Sequence, residues 1–182
     1  MTTRYLLCRA AASMLVPGLL LASACTPKNS AVPQPKPPQT SSASPPSTSS
    51  DPSSSIRSAY QEFWQVAGTI DKQPESEWQS RMSTVAADPQ LRRTVQGLGL
   101  LREQAVVLYG STTARITSVE LDGDRATVQD CQDGSKAGQA DAKTGKPKTV
   151  GVERNPVTAT MQRGTDGRWR VSDVVFGGGA CR

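Results

Sequence analysis

The chain has 182 residues, 36% hydrophobic, 4% aromatic and 20% charged, unevenly spread: an apolar head, a Ser/Thr/Pro-rich stretch, and a globular mixture over the last 127 residues. That last length suits one compact domain and excludes a two-domain enzyme, a multi-span membrane protein and a repeat array. The net charge of +5 shrinks to +2 over residues 56–182, where 17 basic and 15 acidic residues are interspersed and no basic run exceeds Arg92-Arg93, which argues against nucleic acid as a partner.

Arg4 and Arg9 precede an apolar run from Ala10 to Ala24 that Pro17-Gly18 interrupts and that closes on the small residues Ala22-Ser23-Ala24. This is the pattern of a signal peptide over residues 1–24. It is too short and too broken for a spanning helix, which needs about 20 apolar residues. The residues Leu21-Ala22-Ser23-Ala24-Cys25 resemble the lipobox of bacterial lipoproteins, with Ala22 at the usual leucine position and Leu21 one place earlier. The resemblance implies that Cys25 is acylated after cleavage and anchors the chain to the extracytoplasmic face of the cell membrane. Each buried methylene contributes about 0.8 kcal/mol, so two or three acyl chains hold where one is marginal. The plain alternative is a secretory cleavage site at Ala22-Ser23-Ala24 followed by an incidental cysteine.

Of the 30 residues from Thr26 to Ser55, 21 are Ser, Thr or Pro, and Val32 is the one aliphatic larger than alanine. Such a segment buries too little apolar surface to offset its ordering entropy. Residues 25–55 are therefore expected to form a lipid anchor and a disordered tether, reaching up to about 90 Å at ~3.1 Å per residue.

The globular domain, residues 56–182, opens with Ser53-Ser54-Ser55 as a helix cap, after which Ile56, Ala59, Tyr60, Phe63, Trp64 and Ala67 recur at helical spacing. Pro74, Glu75 and Glu77 mark a first turn, with Trp78, Met82 and Val85 on one face of a second helix. A third is expected from Asp88 as cap and Pro89 in its first turn, carrying Leu91, Val95, Leu98 and Leu101 up to a stop at Gly110. The period then changes to two: Thr117, Val119 and Leu121 lead through Asp122-Gly123-Asp124 into Ala126, Val128 and Asp130, a hairpin. Residues Gly134 to Lys148 read as a long mobile connection, before strands over about Thr149–Arg163 and Arg168–Phe176. Helices followed by an antiparallel sheet make the domain α+β, with about four strands.

This order, with the string Gly123-Asp124-Arg125-Ala126-Thr127-Val128, the Asp130-Cys131-x-Asp133 segment, the Trp169-Arg170-Val171 strand and Cys181, resembles a group of actinobacterial secreted lipoproteins with a nuclear-transport-factor-like (cystatin-like) domain. The resemblance implies a cone: amino-terminal helices packed on a curved antiparallel sheet. It implies no catalytic residue.

With Cys8 in the removed segment and Cys25 acylated, Cys131 and Cys181 are the two thiols left outside the cytoplasm, and such thiols normally pair. A redox or metal pair is the alternative, but neither lies in a C-x-x-C and the chain has 0 histidines. That absence also removes Ser-His-Asp and Cys-His systems and the usual general base. Neither cofactor nor metal is expected. Asp130 and Asp133 remain as a carboxylate pair, either an acid and a base in a pocket or simple caps of a strand end. Tyr60, Trp64 and Trp78 fit a core, yet a cavity lined by Trp64, Trp78 and Leu98 between helices and sheet would hold a small apolar molecule. Arg154 and Asn155, beside Pro156, suit a bulge, a sheet edge or a pocket mouth. Three readings follow. The leading one is a non-enzymatic lipoprotein that binds an envelope protein. A carrier or sensor of a small apolar ligand comes next, and a histidine-free carboxylate enzyme last.

Overall fold

The computed structural model describes residues 51–181. The segment expected to be a signal peptide, Cys25 and most of the expected tether lie outside them. Helix α1 (Pro52–Ala67) starts ahead of Ile56, because the Asp51 carboxylate, not the serine run, accepts the Ser53 amide at 3.0 Å, and Pro52 suits the first helical position. Its buried stripe is Ile56, Tyr60 and Phe63, at four- and three-residue spacing. A single 3-10 turn (Ile70–Lys72) leads to α2 (Glu75–Met82), which buries Trp78 and Met82. Val85 falls beyond α2, in a segment that hydrogen-bonds to Val171 on both sides. Helix α3 (Gln90–Glu103) follows Pro89, whose peptide bond with Asp88 is cis, and Asp88 makes no capping bond.

Strand β1 (Val106–Tyr109) comes directly after α3, so Gly110 ends a strand rather than a helix. The main sheet is antiparallel in the order β2-β3-β5-β6, from Ile116–Asp122, Arg125–Gln132, Asn155–Arg163 and Trp169–Phe176. The expected hairpin is present, with Gly123 at φ 58° in its turn. Register shifts at Ile116/Ser118 and Thr160/Met161 bend the strands. The core forms where α1, α2 and α3 meet Ala126, Val128, Ala159, Met161 and Val171 of this sheet. The α+β fold expected from the sequence is the fold observed.

The connection after β3 differs from expectation. Within it β4 (Gly138–Asp141) pairs with β1 to make a second, two-stranded sheet, and Ala140 is buried. The glycines there permit close packing rather than mobility. A Cβ on Gly110, at φ 69°, would lie 1.7 Å from the Lys136 carbonyl oxygen, and one on Gly138 would lie 2.2 Å from that of Thr149. Residues 149–152 run beside this layer, the Gly151 amide donating to Ala137 and the Val152 carbonyl accepting from Gly134. The strand expected from Thr149 therefore begins only at Asn155.

Candidate functional site

Strand β3 alternates Ala126, Val128, Asp130 and Gln132 onto its buried face. The row is apolar beneath the helices and polar at its carboxyl-terminal end. There the Tyr60 hydroxyl donates to Asp130 Oδ2 at 2.8 Å, and the Arg115 amide donates to Oδ1 at 2.6 Å. Burial is the main reason the Asp130 carboxyl is raised above the usual carboxylate range, and the two donors partly counter it. Tyr60 is pushed far up, by burial first and then by the Asp130 charge. The pair closes on itself.

One step further along β3, a cleft of about 280 Å³ opens between the last turn of α1, the end of β1, the end of β3, the start of β5 and the end of β6. Trp64 and Ala67 supply one wall, Leu108 and Tyr109 another, Gln132 and Asn155 the sheet side, and Phe176 the lip. The lining is predominantly apolar and includes no Asp, Glu, Lys or Arg. Two residues of the lining each carry a buried donor that completes no hydrogen bond. Gln132 is 3% exposed and its Nε2 is unsatisfied, and so is the buried Trp64 Nε1. The indole N–H favours the ionised form of the Tyr60 hydroxyl slightly without completing a hydrogen bond to it.

The six residues singled out for a pocket are not gathered in one place. Trp64 lines the cleft. Tyr60 and Asp130 lie in the core beside it, 0% and 4% exposed. Trp78 and Leu98 border a separate groove of about 180 Å³, where the Trp78 indole donates to the Gln73 carbonyl and the Arg102 guanidinium lies over its ring. Those two belong elsewhere because α2 packs against α3, away from the cleft. Asp133 accepts from the Ser135 amide and hydroxyl, which hold its carboxyl below the usual range, and it pairs with Arg115 at 2.6 Å. It is a turn-capping residue here and does not face Asp130 across a cavity. Asn155 takes the pocket-mouth position, directly opposite Gln132 on β5. Gln132, Leu108 and Phe176 were not singled out from the sequence. Gln132 carried a readable signal, as the next inward position after Asp130.

Cys131 and Cys181 form a disulfide across 5.9 Å between Cα atoms. The bridge fastens the carboxyl-terminal tail to β3 beside Gln132, and Arg154 Nε reinforces it by donating to the Cys181 carbonyl at 2.8 Å. Another groove, of about 550 Å³, runs along the start of α1 and carries Glu62, Arg163 and Arg168 at its edges. Among the described residues no group of His, Cys, Asp and Glu is placed to hold a metal.

No family model matches the sequence, and neither does any curated protein. Solved structures do show likeness in outline. An NTF2-like protein from Cytophaga hutchinsonii aligns at TM-score 0.48 and 8% identity, covering 69% of this chain and 97% of that one. The intermembrane space region of the chloroplast protein ARC6 aligns at 0.47 and 14%, covering 68% and 92%. A ketosteroid isomerase-like protein from Erwinia carotovora atroseptica aligns at 0.43 and 13%, covering 68% and 92%. The α+β architecture itself is given by the chain's own helix order and strand pairing.

Proposed function

We propose that the protein is a membrane-anchored extracytoplasmic lipoprotein whose domain is a non-enzymatic binding module, receiving a small, mainly apolar ligand in the cleft at the end of α1. The observation that carries this reading is the cleft itself: concave, apolar and open, with a few polar groups on rigid strands, the usual make-up of a small-molecule site. A carboxylate enzyme is less well supported. Asp130 has both oxygens occupied inside the core, and Asp133 is engaged in a turn. Anchoring through Cys25 rests on the lipobox-like residues alone.

Ligand-observed NMR tests the cleft. Ethylbenzene and acetophenone are expected to show saturation transfer from the purified protein, and Ala67→Phe, which fills the space beside Trp64, is expected to abolish it while the thermal midpoint stays within a few degrees. An unchanged signal in Ala67→Phe would place binding elsewhere. A protein partner is the second reading, favoured by the exposure of Val150, Val152 and Phe176 at 64%, 58% and 57%, the last two at the rim of the cleft. Crosslinking from Val152 to one envelope protein, without probe binding in the cleft, would move the assignment there.

A further inference from the structure

The lysines of the domain are unevenly placed. Of the five in residues 56–182, four (Lys136, Lys143, Lys146 and Lys148) fall between residues 136 and 148, and all four are exposed. Over residues 134–152 these four lysines against one acid, Asp141, leave +3, and Glu153 and Arg154, next in the chain, cancel. Asp133, just before, is engaged by Ser135 and Arg115. The β1–β4 layer displays this charge on ordered backbone. Asp141 Oδ1 accepts from the Lys143 and Thr144 amides and fixes the turn that carries Lys143. Lys146 and Lys148 follow on a segment tied to β4, where the Lys148 and Thr149 amides donate to the Gln139 carbonyl and the Gly151 amide to that of Ala137. Lys148 pairs loosely with Asp141 at 3.7 Å, and among the described residues the other three have no ion-pair partner.

The same segment exposes apolar side chains. Val150 and Val152 point outward, with Gly151 between them packed against Gly134. Val152 and the exposed Phe176 line the mouth of the cleft, and Lys136 lies in the chain between two further lining residues, Gly134 and Ala137. A purely solvated face has no reason to present three large apolar side chains, and protein interfaces are depleted of lysine. Lysines flanking exposed apolar side chains suit an anionic bilayer, whose headgroups attract the ammoniums while valine and phenylalanine enter the acyl boundary.

We infer that this face, with Lys136, Lys143, Lys146 and Lys148 around Val150, Val152 and Phe176, docks on a bilayer surface rich in anionic phospholipid and turns the mouth of the cleft toward it. The docking stands independently of what the cleft binds. Where the pocket-binding reading above also holds, an apolar ligand passes between bilayer and cleft with little exposure to water. Each lysine near such a surface is worth about fivefold in partitioning, and the apolar contribution is small. The contact therefore orients a domain that is already tethered and does not by itself retain an untethered one.

Vesicle co-sedimentation of the full chain carrying Cys25→Ser, which removes that acylation site, tests the docking. At about 0.05 M salt, binding to mixed phosphatidylglycerol–phosphatidylcholine vesicles is expected to exceed binding to phosphatidylcholine alone by about tenfold or more, and to fall as salt is raised. Lys143→Ala with Lys146→Ala, both on the exposed turn, is expected to lower it by about five- to twentyfold. Arg125→Ala with Arg168→Ala removes the same charge at the other end of the sheet, at the start of β3 and just before β6, and is expected to leave binding within about twofold. Val150→Ser, outside the cleft lining, is expected to lower it severalfold. Each readout compares two vesicle types or two variants, so what the apolar head of the chain contributes cancels. Equal binding to the two vesicle types, or equal losses in the lysine and arginine pairs, would overturn the inference. Full binding in Val150→Ser would overturn it too, leaving a general attraction to polyanions. Crosslinking of Val150 to one envelope protein, with no preference for anionic vesicles, would assign the face to a protein partner instead. The pocket reading fails separately, if ethylbenzene shows no saturation transfer while the vesicle preference persists.

Discussion

Asp130 shows how much one side chain in this core depends on its partners. It is 4% exposed, and the Tyr60 hydroxyl and the Arg115 amide hold its two oxygens. Removing one donor leaves a buried acceptor short of a bond, at a cost of about 1–3 kcal/mol. Tyr60→Phe should destabilise the domain by that amount in chemical denaturation. The pH dependence has a definite sign. Asp130 is raised in the folded state, so the folded protein binds its proton more tightly than the unfolded chain does. Its contribution to stability is therefore greatest below the unfolded carboxylate value of about 3.9 and is lost as pH rises through the raised folded value. Asp130→Asn cannot titrate, so it should be less damaging relative to the parent at neutral pH than at about pH 3. Denaturation curves at both pH values check this, and a pH-independent difference would contradict it. Asp133 and Asp141 act oppositely: hydrogen bonds from Ser135 and Thr144 lower them, so what they add is present above the unfolded value and lost on acidification through the folded one.

Among the elements, the β1–β4 layer depends most directly on glycine. Gly110→Ala would force a side chain into a left-handed backbone position and against the Lys136 carbonyl. Amide exchange in Val106–Tyr109 and Gly138–Asp141 should accelerate sharply, with the four-stranded sheet still protected. The disulfide closes a sequence separation of 50, and the chain-entropy model gives it about 4 kcal/mol. Reductant, or Cys131→Ser with Cys181→Ser, should lower the melting temperature accordingly, and an unchanged melt would show that the bridge is not structural. What was readable in the sequence was local. Tyr60 and Phe63 lie on one helical stripe, Gly123 supplies a turn conformation, and Val128 and Asp130 alternate inward, all within a few residues. The β1–β4 pair was not readable. Gly138-Gln139-Ala140-Asp141 has no apolar alternation, and its partner lies some thirty residues earlier. The same non-local packing decides the site. Trp64 and Gln132 come together only because α1 lies over the end of β3, and Trp78 and Leu98 are drawn off by the packing of α2 on α3.

For the whole molecule, the account joins an acylated Cys25, a Ser/Thr/Pro-rich tether and a ligand-binding domain. Cys25→Ser should move the protein from the membrane fraction to the medium without changing the domain's melting temperature, because residue 25 lies far in sequence from the core that begins at Ile56. Retention of this variant in the membrane would mean that the anchor is elsewhere. Native mass spectrometry of the protein extracted from its own membrane tests the central claim most directly. The account expects a chain beginning at an acylated Cys25, lighter by two hydrogens for the Cys131–Cys181 bridge, and carrying an additional small mass released on gentle activation. A chain that begins elsewhere, bears no acyl group and retains no companion mass would contradict it.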